Sequence, residues 1–262
     1  MHPLYPGLSD SHFHSTAMAE RGLDPAQELR RIRSVSDAPF LDVAIEPEDP
    51  PRQLSLTGDV NGVVYSCGLH PGSTGREDWQ AALEAVARQL AAGSFHAVGE
   101  TGLDWYRMYA PRERQIALFE AHIALSRRHH LPIIVHNRHA DDDALALLRA
   151  GALSVPGVMH CYSSGPDRVM DFLDAGMYIS FAGNVTFRSA AELRQAVRLV
   201  PDDRILVETD APFLAPHPLR GRDNHSGLIP YTLAVMAEER ATSPQELAML
   251  TAENLKRLLQ LV

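Results

Sequence analysis

A histidine motif lies close to the start of this 262-residue chain. It reads Asp10-Ser11-His12-Phe13-His14, so one residue separates the two imidazoles. Alternate residues of an extended strand face the same side. His12 and His14 can therefore hold one metal ion together, with Asp10 beside or behind them. A pair of surface or capping histidines is the alternative interpretation, because short motifs often match by chance.

Further potential ligands follow other short apolar runs of the sequence. They are His70 after Gly62–Cys67, Glu100 after Phe95–Gly99, His136 after Leu131–Val135, His160 after Val155–Met159, and Glu208-Thr209-Asp210 after Ile205–Val207. In a barrel of parallel strands the active site lies where the strands end. The shared position of these residues therefore predicts one composite metal site.

The types of these residues suggest separate roles. A carboxylate directly after a buried strand is costly unless it is paired or metal-bound, so Glu100 is predicted to bridge two ions. An ion pair with Arg107 or Arg138 is the alternative. His136 and His160, on neighbouring strands, are predicted to ligate the second ion. Imidazole and carboxylate ligands suit zinc, manganese, nickel or iron, and more carboxylate favours magnesium or manganese.

The last strand adds the predicted base. Asp210 is expected to ligate one ion and to accept a proton from the attacking water. Glu208 faces the same side by strand alternation, so the choice between the two stays open, and an N-cap role is a further alternative for Asp210. Asp104 is interpreted as a cap of the turn that follows it, rather than as a ligand.

Two side chains are predicted to contact substrate. Arg138 follows His136 by two residues, so it points to the same side and can hold a phosphate oxygen. Tyr162 follows His160 and is predicted to form a hydrogen bond with the substrate.

The segments between these residues predict an α/β fold. The apolar runs are rich in Val and Ile and do not alternate, as is typical of parallel strands buried on both faces. With a run near Leu8 they number about eight, which fits a (β/α)8 TIM barrel formed as a single domain by residues 1–262. A doubly wound sheet is the competing architecture, but the chain has no glycine-rich phosphate loop. The Pro-rich segment Glu46–Thr57 predicts a degenerate second βα unit.

Helical patterns separate the predicted strands. They cover Trp79–Ala91, Pro111–His130, Asp141–Ala150, Asp167–Ala175, Ala190–Leu199 and Pro230–Arg240, and Ser243 to Glu246 read as a capping box before a last helix.

Composition limits the class of protein. The net charge is −9 and Lys256 is the only lysine, so no basic stripe for long duplex DNA is present. Cys67 and Cys161 lie in apolar stretches, which fits a reducing cytoplasm better than a disulfide framework. We expect a cytoplasmic enzyme with no signal peptide, no membrane span and no obligate protein partner.

Taken together, the motifs resemble those of the TatD family of metal-dependent deoxyribonucleases, in the amidohydrolase superfamily. They are the Asp10–His14 run, Gly68-Leu69-His70-Pro71, Gly99-Glu100-Thr101-Gly102-Leu103-Asp104, His136-Asn137-Arg138, His160-Cys161-Tyr162-Ser163 and Glu208-Thr209-Asp210-Ala211-Pro212. They occur in the family's order and span nearly the whole chain.

The resemblance implies a TIM barrel with up to two divalent ions, magnesium or manganese, with zinc or nickel as alternatives. By position, His12, His14 and Asp210 would hold one ion, Glu100 would bridge, and His136 and His160 would hold the other. His70 would lie near the substrate phosphate. The implied reaction is hydrolysis of DNA phosphodiesters, often as 3′-to-5′ trimming of single-stranded ends.

One departure from the family pattern concerns the substrate. The family commonly has Arg-Gly-Lys-x-Asn-Glu-Pro where this chain reads Arg220-Gly221-Arg222-Asp223-Asn224-His225-Ser226. Related barrels hydrolyse lactones, amides or phosphoesters, and a small-molecule hydrolase is the alternative function. Such relatives often use a bridging carboxylated lysine, but Lys256 lies in the last predicted helix, where it cannot replace Glu100.

Overall fold

Eight parallel strands form the sheet at the centre of this computed structural model, which describes residues 3–261. They are β1 (Asp10–Phe13), β2 (Phe40–Asp42), β3 (Val63–Cys67), β4 (Ala97–Asp104), β5 (Ile133–Arg138), β6 (Gly157–Met159), β7 (Met177–Phe181) and β8 (Ile205–Val207). They pair in chain order, and a bridge between Phe13 and Ala211 joins the segment after β8 to β1. This closure confirms the predicted TIM barrel and excludes the open doubly wound sheet.

Helices surround the barrel. They are α1 (Ser15–Glu20), α2 (Pro25–Arg33), α3 (Asp49–Thr57), α4 (Trp79–Ala92), α5 (Arg112–His129), α6 (Asp141–Gly151), α7 (Val169–Asp174), α8 (Ala191–Leu199), α9 (Ile229–Glu239) and α10 (Pro244–Leu258), with short 3₁₀ helices at Pro71–Gly75, Pro166–Arg168, Gly183–Thr186 and Ser226–Leu228. Within residues 3–261, no helix is both long and apolar enough to cross a membrane.

The prediction of a degenerate second unit is wrong. The segment Glu46–Thr57 contains the regular helix α3, in which Pro50 and Pro51 lie in the first turn. Backbone N–H groups in that turn have no partner within a helix, so prolines there interrupt no helical hydrogen bond.

The barrel interior follows strand alternation. Ile134 of β5 and Val158 of β6 belong to an internal apolar cluster, which Leu255 and Leu258 of α10 also enter. Their strand neighbours face the helices; Val135, for example, belongs to the layer between sheet and helices. Every second residue counted from Ile134 and Val158 therefore points into the barrel. The next such residues along these two strands are His136 and His160, which lie at the barrel mouth.

Strand β4 departs from this rule at the residue that matters most. Ala97 faces the interior, so simple alternation would turn Glu100 outward. The pairing register between β4 and β5 shifts between Val98 and Thr101. Such an irregularity re-aims a side chain, and Glu100 consequently enters the barrel mouth. The sequence predicted that Glu100 lies directly after this strand. Strand β4 in fact continues through Asp104, so Glu100 lies within it.

Helix ends agree with the sequence at some positions and differ at others. Ser243 and Glu246 form the predicted capping box of α10, and Gly176 has the positive φ of a glycine after a helix. Gly151 is the last residue of α6, and Ala152 after it adopts the left-handed conformation.

Gly102 provides a test of how closely β4 and β5 approach. It has φ of +137°, and a Cβ there would lie 2.0 Å from the His136 carbonyl oxygen. We expect Gly102→Ala to lower the free energy of unfolding by about 2 to 4 kcal/mol, through strain and overpacking. Gly176 has φ of +84° with no atom within 4 Å of a Cβ, so Gly176→Ala should cost only about 1 kcal/mol. If urea unfolding shows that both variants lose the same free energy of unfolding, the close approach of β4 and β5 at Gly102 is contradicted.

Asp42 provides a test of pH dependence. Its buried carboxylate accepts hydrogen bonds from Ser15 N, Gln53 Nε2 and Thr57 Oγ1. Burial raises its pKa to about 6, although these hydrogen bonds oppose the rise. Because the folded pKa exceeds the unfolded one, its linked stability is complete below about pH 4 and is lost as the pH rises through 6.

We therefore expect Asp42→Asn to destabilise the protein more at pH 4.5 than at pH 7, by roughly 2 kcal/mol. Urea unfolding of both proteins across this range measures the difference. If the loss of stability in Asp42→Asn is constant or grows with pH, burial does not raise the pKa of this carboxyl group.

Candidate metal centre

The carboxylate of Glu100 lies in the barrel mouth with histidines on both of its oxygens. Oε2 lies 3.4 Å from His12 Nε2 and 3.6 Å from His14 Nε2. Oε1 lies 2.9 Å from His136 Nδ1 and 2.9 Å from His160 Nε2. Two predicted histidine sets therefore meet on opposite oxygens of a single buried side chain.

Asp210 joins the set on the Oε2 side. Its Oδ1 lies 3.4 Å from His14 Nε2 and 3.9 Å from His12 Nε2. It follows the end of β8 and has φ of +57°, so strand alternation does not set its direction. His14 Nδ1 donates a hydrogen bond to the Val43 carbonyl oxygen at 2.8 Å. This bond leaves Nε2 as the nitrogen of His14 that faces the carboxylates.

Glu208, the competing residue of the last strand, takes a different position. Its buried carboxylate accepts a hydrogen bond from Cys161 N at 2.7 Å and lies 3.4 Å from His160 Nδ1. The His160 ring therefore lies between two carboxylates, with Nδ1 facing Glu208 and Nε2 facing Glu100. Such a carboxylate fixes the orientation of a ligating imidazole. Both carboxylates that the sequence left as alternatives thus contact the site, on different histidines.

The charges of the site balance one another. Burial by itself would raise the pKa of Glu100, but His160, His12 and His136 hold it well below its usual range. Burial opposes protonation of His14, yet the hydrogen bond with Asp210 and the charge of Glu100 raise its pKa to about 9. The carboxylates thus attract positive charge into the site. Protons and a metal cation would compete for the same imidazole lone pairs.

The donor set fits a divalent metal ion. Three overlapping groups each have their ligand atoms within 4.8 Å of one another, and they are His12 with His14 and Glu100, His12 with His160 and Glu208, and His70 with Glu100 and His136. Imidazole nitrogen with carboxylate oxygen suits the divalent transition metals and manganese. Lys256 pairs with Glu253 on α10, so it does not contribute to the site.

His70 lies in the site as a hydrogen-bond donor. It precedes the 3₁₀ helix Pro71–Gly75, and its Nδ1 accepts a hydrogen bond from Gly72 N at 3.0 Å. Burial lowers the pKa of His70 to about 4, although Glu100 opposes the shift. The neutral ring consequently carries its proton on Nε2, which lies 3.7 Å from Glu100 Oε1. His70 lies close enough to Glu100 and His136 to ligate an ion with them, but in this tautomer its protonated Nε2 can donate to a substrate oxygen instead of ligating.

Asp104 is a contact of the site that sequence reasoning assigned to the turn alone. Its Oδ1 accepts hydrogen bonds from Tyr106 N and Arg107 N, as the predicted cap does. Its Oδ2 also lies 3.3 Å from His136 Nε2. Asp104 follows Glu100 by an even number of residues in one strand, so both side chains face the same side. This spacing is the sequence signal that could have identified the contact between Asp104 and His136.

The two predicted substrate contacts differ in outcome. Arg138 ends β5 on the rim, with its guanidinium 4.1 Å from the centre of the Tyr106 ring. Tyr162 does not reach the site: its ring packs against Phe172 and Phe181, and its hydroxyl donates to the Gly165 carbonyl oxygen. The expectation for Tyr162 is therefore corrected.

The reason for this correction lies in the backbone before Tyr162. Strand β6 ends at Met159, and Cys161 has φ of +43°. The chain therefore turns after His160, and the next large side chain enters the core.

Asp10 lies behind the histidines and supports the last strand. Its carboxylate accepts hydrogen bonds from Thr209 N at 2.9 Å, Thr209 Oγ1 at 2.6 Å and Ser226 Oγ at 2.8 Å. Asn224 Nδ2 donates to the carbonyl oxygens of Thr209 and Phe213, on either side of Asp210. The loop that departs from the family pattern therefore holds the Asp210 turn in place.

Known proteins resemble this chain over nearly its whole length. A family model described as TatD related DNase matches residues 9–260. The chain is 37% identical over 254 residues to the Escherichia coli K12 protein named uncharacterized metal-dependent hydrolase YcfH, covering 96% of this chain and 95% of that protein. It is 34% identical over 246 residues to a Rahnella protein named 3′-5′ ssDNA/RNA exonuclease TatD, covering 91% and 93%.

A solved structure gives the same result for the fold. The TatD homolog YJJV of Escherichia coli K12 superposes with a TM-score of 0.85, at 26% identity, covering 96% of this chain and 97% of that one.

Glu100 provides a test of the site as a metal centre. Glu100→Gln keeps the size of the side chain but removes the charge shared by both histidine sets. We expect the affinity for manganese in isothermal titration calorimetry to fall more than about 10-fold. Glu84→Gln, at a side chain 75% exposed on α4, should bind manganese as the wild type does. Unchanged affinity in Glu100→Gln would contradict a metal role for this carboxylate.

Proposed function

Because the chain belongs to the TatD related DNase family of metal-dependent hydrolases, as its motifs predicted, we propose that it hydrolyses DNA phosphodiester bonds, trimming single-stranded ends from 3′ to 5′. The observation that carries the proposal is the position of Glu100, whose two oxygens face two separate histidine sets. A single carboxylate shared in this way suits two adjacent cations. Paired cations are common in enzymes that cleave phosphodiesters.

We assign the ligands by these two sets. His12, His14 and Asp210 would hold one ion, His136 and His160 the other, and Glu100 would bridge them. Magnesium or manganese is the proposed metal, with zinc or nickel as alternatives for so many imidazoles. When bound, the ions would make a hydroxide nucleophile available near neutral pH and would neutralise charge on the phosphoryl oxygens.

The side chains around the ions have complementary tasks. Asp210 is the least buried carboxylate of its set, at 15% exposed. Its Oδ1 can therefore reach a water at the edge of the site, orient it and accept its proton. Glu208 and Asp104 hold the His160 and His136 rings from behind. No covalent enzyme intermediate is needed for this reaction.

Substrate phosphate is proposed to bind between His70 and Arg138. The neutral His70 ring presents Nε2–H toward the Glu100 side of the site. Arg138 forms no ion pair with any residue in the described part of the chain, so its guanidinium remains available for a phosphate oxygen. These two donors would fix the scissile phosphate over the metal ligands.

Charge distribution supports an enzyme of strand ends. The chain has a net charge of −9, which disfavours a continuous electrostatic grip on duplex DNA. Four arginines lie at the carboxyl rim and form no ion pair with an acidic residue among residues 3–261; they are Arg138 at the end of β5 and Arg107, Arg220 and Arg222 on loops. A few such arginines can hold a short strand.

We further propose that the chain is a single catalytic domain that works in the cytoplasm.

Asp210 provides the test of this function. We expect Asp210→Asn to fold normally by circular dichroism but to lose about 10²- to 10⁴-fold of its activity. The assay follows end-labelled single-stranded DNA with magnesium or manganese, with a chelator control. Asp203→Asn, at a side chain 62% exposed before β8, is the matched control and should retain full activity.

Full activity in Asp210→Asn would contradict its assigned role. If the wild type hydrolyses lactones or small phosphoesters but gives no ladder of shortened DNA, the small-molecule alternative replaces the nuclease.

A further inference from the structure

The loop after β4 exposes large aromatic side chains beside the candidate metal centre. Tyr106 is 56% exposed, Met108 45% and Tyr109 63%. These three residues lie within four positions of one another, on the carboxyl rim of the barrel. Exposed apolar groups concentrated in this way indicate an interaction surface, whereas isolated ones are ordinary. We call residues 105–109 the aromatic loop.

The aromatic loop is fixed to the site by Asp104. One oxygen of that carboxylate accepts hydrogen bonds from Tyr106 N at 2.9 Å and Arg107 N at 2.7 Å. The other lies 3.3 Å from His136 Nε2. One side chain thus sets both the start of the loop and the orientation of a proposed metal ligand. The exposed rings consequently have a defined position relative to the metal centre.

The other end of the loop packs against the turn that carries His70. A Cβ on Gly75 would lie 2.6 Å from the Tyr109 carbonyl oxygen, and a Cβ on Gly72 would lie 3.4 Å from Tyr109 Cδ2. Glycines at these positions allow the loop to approach the 3₁₀ helix Pro71–Gly75. The aromatic loop therefore spans the rim between the His70 turn and His136, next to the phosphate position proposed between His70 and Arg138.

Arginines accompany the exposed rings. The Arg138 guanidinium lies 4.1 Å from the centre of the Tyr106 ring. Arg107 lies 6.0 Å from the Tyr106 ring and 5.9 Å from the Tyr109 ring. In the described residues neither arginine forms an ion pair with a carboxylate. Aromatic faces beside unpaired guanidinium groups are the combination by which proteins bind single-stranded nucleic acid.

We propose that Tyr106 and Tyr109 form a stacking platform for the bases next to the scissile phosphate, with Arg107 and Arg138 facing the adjoining backbone. This inference rests on the proposed nuclease function and assigns the part of the surface that binds the strand. Stacking on a side chain requires a base with an open face, and in a duplex the neighbouring base pairs cover both faces of each base. The platform thus accounts for a preference for single strands without a basic groove.

Binding without catalysis tests the platform directly. Fluorescein-labelled oligothymidylate is titrated in chelator and followed by anisotropy, beside an oligonucleotide of equal length with abasic residues. We expect the wild type to bind oligothymidylate more tightly than the abasic strand. The double variant Tyr106→Ala with Tyr109→Ala should bind oligothymidylate roughly 10- to 100-fold more weakly. It should bind the abasic strand nearly as the wild type does.

Two further variants separate stacking from damage to the fold. Tyr106→Phe with Tyr109→Phe keeps both rings and should retain wild-type affinity. Leu199→Ala removes a side chain 50% exposed at the end of α8, on the opposite end of the barrel, and should change nothing.

The outcomes are distinct for the two proposals. If the double alanine variant binds oligothymidylate like the wild type, or if the wild type does not distinguish thymidylate from abasic strands, the platform is overturned while the nuclease function stands. If the wild type neither binds nor cuts single-stranded DNA, the proposed function fails and the platform fails with it.

Discussion

A carboxylate buried in the mouth of the barrel is the constraint on which the rest of the site depends. Glu100 is 3% exposed, and an isolated buried charge costs several kcal/mol. The register shift in β4 turns it inward, and four histidines then surround its two oxygens. Asp104 and Glu208 hold the outer sides of His136 and His160, and the Val43 carbonyl oxygen holds that of His14. Removing the central charge would leave this arrangement of imidazoles without the group that stabilises them.

Strand alternation explains why much of the site was predictable. His136 continues the inward parity of Ile134, and His160 continues that of Val158. A sequence that shows the apolar strand therefore also shows which polar residue follows it into the mouth. The α/β class, the eight strands and the inward position of His136 and His160 follow from this single geometric rule.

The rule fails where the chain leaves regular strand geometry, and the errors lie at those positions. Asp210 and Cys161 both have positive φ, so parity could neither choose between Glu208 and Asp210 nor place Tyr162. Glu100 faces inward only because β4 is irregular. The helix α3 was missed because composition alone does not show that its prolines fall in the first turn.

The site and its surroundings form a continuous structure. Asp104 connects His136 to the aromatic loop, and Asp10 and Asn224 hold the turn that carries Asp210. The proposed substrate contacts and the proposed metal ligands are thus positioned by the same buried polar groups.

The central claim is that Glu100 is shared by two cations. Crystals grown with manganese and measured at a wavelength that gives manganese anomalous scattering test it most directly. The account predicts two anomalous peaks about 3.5 to 4 Å apart, one on each side of the Glu100 carboxylate. A single peak on one histidine set, or manganese bound elsewhere with Glu100 free, would contradict it.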